Sequence, residues 1–164
     1  MGNSYQFLEG AERLLDARAM FFYYATGITP AMTEAKPGTG SAYAVAFRDA
    51  AGNYFDGSRT YNITLPGPIP AKNFWAFTVY DNQTRSLLPT DQKTPGVDST
   101  APGVQKNSDG GVTIWFGPQA PAGHEKNWVQ TMPGRGYNVI LRLYGPLEPW
   151  FNKSWRPGDL ELQR

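Results

Sequence analysis

The sequence predicts a mainly β fold, an antiparallel sandwich or barrel preceded by an N-terminal α-helix. Three observations lead there. Apolar residues alternate with period two after Pro30; eighteen Gly and fourteen Pro punctuate the alternation; and no helical pattern recurs between the alternating segments. Tight turns need positive or fixed φ, and short connections between strands favour antiparallel neighbours.

The N-terminal element is read from Phe7, Leu8, Ala11, Leu14, Leu15, Phe21, Phe22 and Ala25, which recur at steps of three and four and line one helical stripe. Asn3 or Ser4 is placed to cap it and Gly27 to end it. Next, Tyr43, Val45 and Phe47 alternate with small residues, and Asp49–Asn53 forms the turn after them. Tyr61, Ile63 and Leu65 alternate against Thr60, Asn62 and Thr64, a half-buried strand that the Pro-rich run at 66–70 stops. The segment Phe74 to Tyr80 is apolar on both faces, which predicts a central strand covered on each side, with the N-terminal helix as one candidate cover.

Pro89 to Pro102, rich in Thr, Pro, Gly and Asp, reads as a long surface loop. Asn107–Gly111 reads as a turn leading into a strand from Val112 to Phe116. The last strong strand runs from Tyr137 to Tyr144. Tyr137, Val139, Leu141 and Leu143 fall on one face of it, and Asn138, Ile140, Arg142 and Tyr144 on the other. The predicted organisation is a helical element over residues 1–30 and one β domain over residues 31–164.

Composition removes several function classes. Fifteen Lys and Arg against fourteen Asp and Glu leave a net charge of +1, which provides no bulk attraction to nucleic acid or anionic lipid. With no cysteine and one histidine, His124, the chain can build no disulfide, no thiolate site and no multi-histidine metal centre. No metal or other cofactor is therefore expected. The start, MGNSYQFLEG, carries no basic region followed by an apolar core, so no export signal is expected there. The longest apolar run, Ala19 to Ala25, is far short of the roughly 20 residues of a membrane-spanning helix.

Catalytic constellations are sparse. There is no Gly-x-Ser-x-Gly elbow, and His124 lies in a glycine-flanked loop. Asp81 and Asp91 could face each other across a loop mouth as an acid and base pair. The simpler reading of Asp81, as of Asp109, is a turn aspartate bonding nearby backbone amides. Arg142, in the middle of an apolar strand, must either reach solvent on the polar face or find an acid partner, and if that face lines a concavity it could grip the carboxylate or phosphate of a ligand. Of nine Phe, nine Tyr and five Trp, most are expected in the core; Trp128 and Trp155, near polar and basic residues, are the better candidates for exposure.

Several segments together resemble a bacterial family, domain of unknown function 1214. They are Thr29-Pro30-Ala31-Met32, Phe74 through Asp81, Asn107 through Gly111, Asn127-Trp128 with Pro133-Gly134, Leu141 through Pro146, and Trp155-Arg156-Pro157. The family usually follows domain of unknown function 1254 in a longer two-part protein that often carries an export signal. The resemblance implies a jelly-roll antiparallel β-sandwich behind a small helical element, and it brings no catalytic motif. This chain starts inside the helical connector of such proteins, so a homo-oligomer or an upstream domain is expected to pack on the N-terminal helix.

Two functions follow as expectations. The first is a non-catalytic module that binds a small or envelope-associated ligand, or serves structurally, through loops at one end of the roll with Tyr80, Asp81, Trp128 and Arg142. The second is a hydrolase-like enzyme using Asp81, Asp91 or Glu125, with Arg142 as electrostatic partner.

Overall fold

In the computed structural model, which describes residues 8, 9, 11–19 and 36–163, the chain divides into two units, Met1–Lys36 and Pro37–Arg164. In the first unit β1 (Leu8–Glu9) pairs antiparallel with β2 (Glu12–Arg13), Leu8 opposite Arg13 and Glu9 opposite Glu12. Residues 15–19 are helical, with the Arg18 amide donating to the Leu14 carbonyl at 3.0 Å. The expected continuous helix is therefore a hairpin where it was to begin. Phe7, Phe21, Phe22 and Ala25 of the expected stripe lie outside the described residues.

The second unit holds eight strands: β3 (Ser41–Ala46), β4 (Tyr61–Leu65), β5 (Ala71–Asp81), β6 (Gly96–Asp98), β7 (Val112–Gly117), β8 (Trp128–Gln130), β9 (Tyr137–Pro146) and β10 (Glu161–Leu162). They form a front sheet of order β3-β9-β5-β6 and a back sheet of order β10-β4-β7-β8. The inward side chains of both sheets make one core. Phe77 and Val79 of β5 and Val139, Leu141 and Leu143 of β9 face Ile63 and Leu65 of β4 and Ile114 and Phe116 of β7. Phe77 stands edge-on to Phe116 with ring centroids 5.6 Å apart, a direct join between the sheets.

The alternation in the sequence drives this packing. Along β5 the residues Trp75, Phe77, Val79 and Asp81 are buried while Phe74, Ala76, Thr78 and Tyr80 are half-buried on the outer side. The strand is central, between β9 and β6, as its apolar run predicts. The turn expectations also stand. Asp49 Oδ1 accepts from the amides of Ala51 and Asn53 at 3.0 and 2.9 Å, and Asp109 accepts from Gly67 and Gly111 at 3.0 and 2.9 Å.

Two features depart from the expectation. The 89–102 segment is not wholly loop, since β6 lies within it and pairs with β5, Phe77 opposite Val97. Further, β8 runs parallel to β7, Trp115 opposite Trp128, so the back sheet is mixed. The cause is the connection between them, residues 118–127 with the one-turn 3-10 helix Glu125–Asn127, which is long enough to carry the chain back before it pairs again.

Candidate functional site

The outer face of the front sheet gathers the most unusual chemistry. In β9, Arg142 lies opposite Tyr43 of β3 on one side and Ala76 of β5 on the other. Period-two alternation turns Tyr43, Val45, Thr78, Tyr80, Ile140 and Tyr144 outward with it. The Arg142 guanidinium donates from Nη1 to Thr78 Oγ1 at 2.8 Å and from Nη2 to the Tyr80 hydroxyl at 2.7 Å. Its carbon lies 5.9 Å from the Tyr43 ring centre and 5.6 Å from that of Tyr80, within cation–π range. Beside it Phe74 stacks on Tyr144 at 4.0 Å.

No carboxylate pairs with Arg142 among the described residues, where the ion pairs are Arg59 with Asp56 at 3.8 Å and Arg135 with Asp81 at 3.3 Å. The internal acid expected for Arg142 is thus replaced by two hydroxyls. A guanidinium has five N–H donors in a planar fork, and two hydroxyls leave donors to spare. The apolar residues of β3 and just past it are open: Tyr43 is 57% exposed, Val45 50% and Phe47 42%.

Asp81 is not part of this group. As the last residue of β5 it is buried, and its carboxylate accepts from the amides of Gln83 at 2.7 Å and Thr84 at 3.0 Å and faces Arg135 Nη1. The Thr84 amide above all, then the Gln83 amide and the Arg135 charge, holds its pKa below the ordinary aspartate range despite burial. That is a turn anchor and an ionised group, as the Asx reading of the sequence expects.

Trp128 lies elsewhere, at the edge where β6 and β8 approach. Its Nε1 donates to the Gly117 carbonyl at 2.9 Å, and its ring lines a cleft of about 380 Å³ with Thr78, Gln92, Asp98 and Lys126. Thr78 therefore belongs both to this cleft and to the Arg142 cluster. Trp155, expected to be exposed, is instead buried at 7% with its Nε1 on the Pro66 carbonyl at 2.8 Å. The polar and basic residues that precede it, Lys153 and Ser154, and Arg156 after it are exposed while the indole turns inward.

The remaining acids are structural in their contacts. Exposed Asp91 exchanges hydrogen bonds with Gln130, its amide donating to Oε1 at 2.9 Å and its Oδ2 accepting from Nε2 at 3.1 Å. Glu125 Oε1 accepts from the Gly123 amide at 3.0 Å; its pKa is lowered chiefly by backbone amides, its own and that of Gly123. Among the described residues there is no cluster of three His, Asp or Glu side chains able to hold a metal ion, and no helix long and apolar enough to cross a membrane. Thr78 and Tyr43 are the site residues the sequence reading passed over. The signal was present, since Thr78 precedes Tyr80 by two in a strand and must share its face.

A family profile described as a protein of unknown function (DUF1214) matches residues 40–148, from the start of β3 to just past β9. No curated protein matches the chain. Among solved structures, the VPA0106 protein from Vibrio parahaemolyticus superposes with a TM-score of 0.68 at 18% identity, over 91% of this chain and 35% of that one. An uncharacterised protein from Burkholderia cenocepacia superposes with a TM-score of 0.45 at 18% identity, over 79% of this chain and 31% of that one. The chain thus spans about a third of the length of the solved relatives it matches. The first likeness is one of fold.

Proposed function

The chain belongs to the DUF1214 family, and from that premise we propose that it is a non-catalytic ligand-binding module of a longer bacterial protein, with its site on the outer face of the front sheet. One observation carries the reading. Arg142 sits among aromatic rings, held by Thr78 and Tyr80 with no acid to neutralise it among the described residues. A half-buried cation with spare donors is a ready partner for a carboxylate or phosphate, and Tyr43 and Tyr80 flank the place such a group would take.

In this reading Tyr80 orients Arg142, Asp81 anchors the loop that follows β5, and Trp128 borders the site through the cleft it shares with Thr78. The finer description of the sandwich as a jelly roll draws support from eight strands in two four-stranded sheets, with the parallel β7–β8 pair as a local departure. Packing of an upstream domain on the N-terminal helix stays a proposal alongside it. The hydrolase-like alternative finds less support. Asp81 and Glu125 are both held ionised by backbone amides, which suits a general acid poorly.

A thermal-shift screen of the purified chain against carboxylic acids and phosphate esters tests the reading, with Arg142→Met as the comparison. A ligand at a hundred times its Kd adds about 2.7 kcal/mol to stability. The expected result is an anionic ligand that raises the melting temperature of the parent protein and leaves that of folded Arg142→Met unchanged. An equal rise in both proteins would overturn the assignment to Arg142.

A further inference from the structure

The back sheet carries a second, separate concavity. Trp115 of β7 points outward between buried Ile114 and Phe116, and His124 lies against its indole with ring centroids 5.1 Å apart and planes inclined by 26°. The rest of the indole lines a cleft of about 600 Å³ together with Ser58, Arg59, Thr60, Gln119 and Gln163. That size falls within the range of small-molecule sites.

Its lining mixes polar side chains with the apolar Ala120, Pro121 and Leu162. Arg59 is the one charged residue in the lining, and its Nε faces Asp56 at 3.8 Å. Ser58 is likewise engaged, its hydroxyl donating to Asp56 Oδ1 at 2.7 Å, and the Gln163 amide donates to the Glu161 carbonyl at 3.2 Å. Against these, the Gln119 side chain is exposed and makes no hydrogen bond among the described residues. The Trp115 Nε1–H is buried and has no acceptor among the described residues.

An aromatic platform rimmed by the Gln119 amide and the Thr60 hydroxyl, with its one cation set beside Asp56, suits a flat neutral ring that has apolar C–H faces and an equator of hydroxyls. A phosphorylated ligand would instead demand uncommitted cations. We propose that this cleft is a saccharide-binding site, in which Trp115 takes the C–H face of a pyranose ring and Gln119 and Thr60 bond its hydroxyls. The His124 ring behind the indole holds the platform in place. This site is on the opposite sheet from Arg142 and stands independently of the anion reading.

The test is a titration of the isotope-labelled chain with disaccharides built from glucose, galactose, mannose and N-acetylglucosamine, followed by two-dimensional NMR. The Trp115 indole and Gln119 amide signals are the readouts. At least one sugar is expected to move both signals saturably. Gln119→Ala is expected to weaken that binding by about tenfold, the scale of one hydrogen bond, and Arg142→Met to leave it unchanged. Trp115→Leu should abolish it, and because Gln119 is exposed its variant stays folded whatever Trp115→Leu does. Failure of every sugar to move these signals overturns the proposal, as do shifts that map to the Trp128 cleft or binding that survives Gln119→Ala undiminished.

Discussion

Arg142 of β9 reaches diagonally over the front sheet to donate to the Tyr80 hydroxyl of β5 at 2.7 Å, and no carboxylate stands behind the pair among the described residues. Both groups are half-buried, so water can replace either one when the other is removed. Tyr80→Phe is therefore expected to cost about 1 kcal/mol, the net value of one such hydrogen bond, and Arg142→Met, which gives up the bonds to both Thr78 and Tyr80, about 2 kcal/mol. Urea denaturation of both variants checks this. A loss of several kcal/mol would assign Arg142 to the fold and remove the main argument for a binding face.

Asp81 should behave in the opposite way, with a large structural effect and a defined pH signature. Its folded pKa is lowered, first by the Thr84 amide, so its contribution to stability is complete above the unfolded value near 3.8 and is lost as pH falls through the folded value. Asp109 is lowered in the same sense by the Gly67 and Gly111 amides, and Asp56 by the Ser58 hydroxyl and amide. Asp81→Asn is expected to melt at lower temperature than the parent at neutral pH, with the gap narrowing at an acid pH below 3.8. Melting curves at both pH values decide it; a gap that is constant with pH would deny the carboxylate its role.

The same contrast shows what the sequence could express. Strands with a full alternating run were legible to within a few residues, as Tyr61–Leu65 and Tyr137–Pro146 demonstrate. Three-residue strands were not. Each of β6 and β8 buries one side chain, Val97 and Val129, and a single buried residue carries no period. Turn aspartates were legible because their bonds are local. The Arg142 cluster was half legible: alternation puts Thr78 and Tyr80 on one face of β5, but nothing in one strand says that β9 lies beside it. Trp155 misled because its partner, the Pro66 carbonyl, is 89 residues away along the chain.

Tyr137 offers a test of the core. Its ring stacks on Phe55 at 5.2 Å and meets Tyr61 edge-on at 6.4 Å, while its hydroxyl is buried with no partner among the described residues and burial pushes its pKa far up. An unmet hydroxyl in a core is a net loss relative to a ring without one. Tyr137→Phe is expected to leave the fold intact and to raise stability by up to about 1 kcal/mol. Guanidinium denaturation reads the sign, and a clear loss would point to a partner for this hydroxyl.

Gly57 is where two loops touch backbone to backbone. Its amide donates to the Arg135 carbonyl at 3.0 Å, and its own carbonyl accepts from the Thr131 hydroxyl at 2.8 Å. A Cβ at this position would run into the carbonyl oxygen of Met132, and backbone cannot swing aside as a side chain can. Gly57→Ala should therefore push the 131–135 loop outward and destabilise the protein by roughly 1–3 kcal/mol, the range for overpacking a tight site. The displacement has a second consequence, because that loop presents Arg135 to Asp81 at 3.3 Å. Loosening it weakens the pair, so the acid-sensitive part of stability should shrink in Gly57→Ala along with the total. Exposed Ser58, next in sequence, is the control: Ser58→Ala removes one hydroxyl bond to Asp56 and leaves the Asp81 pair untouched. Urea midpoints of both variants at neutral and acid pH separate the two cases, and a Gly57→Ala protein as stable as the parent would show that the loops meet less closely than this.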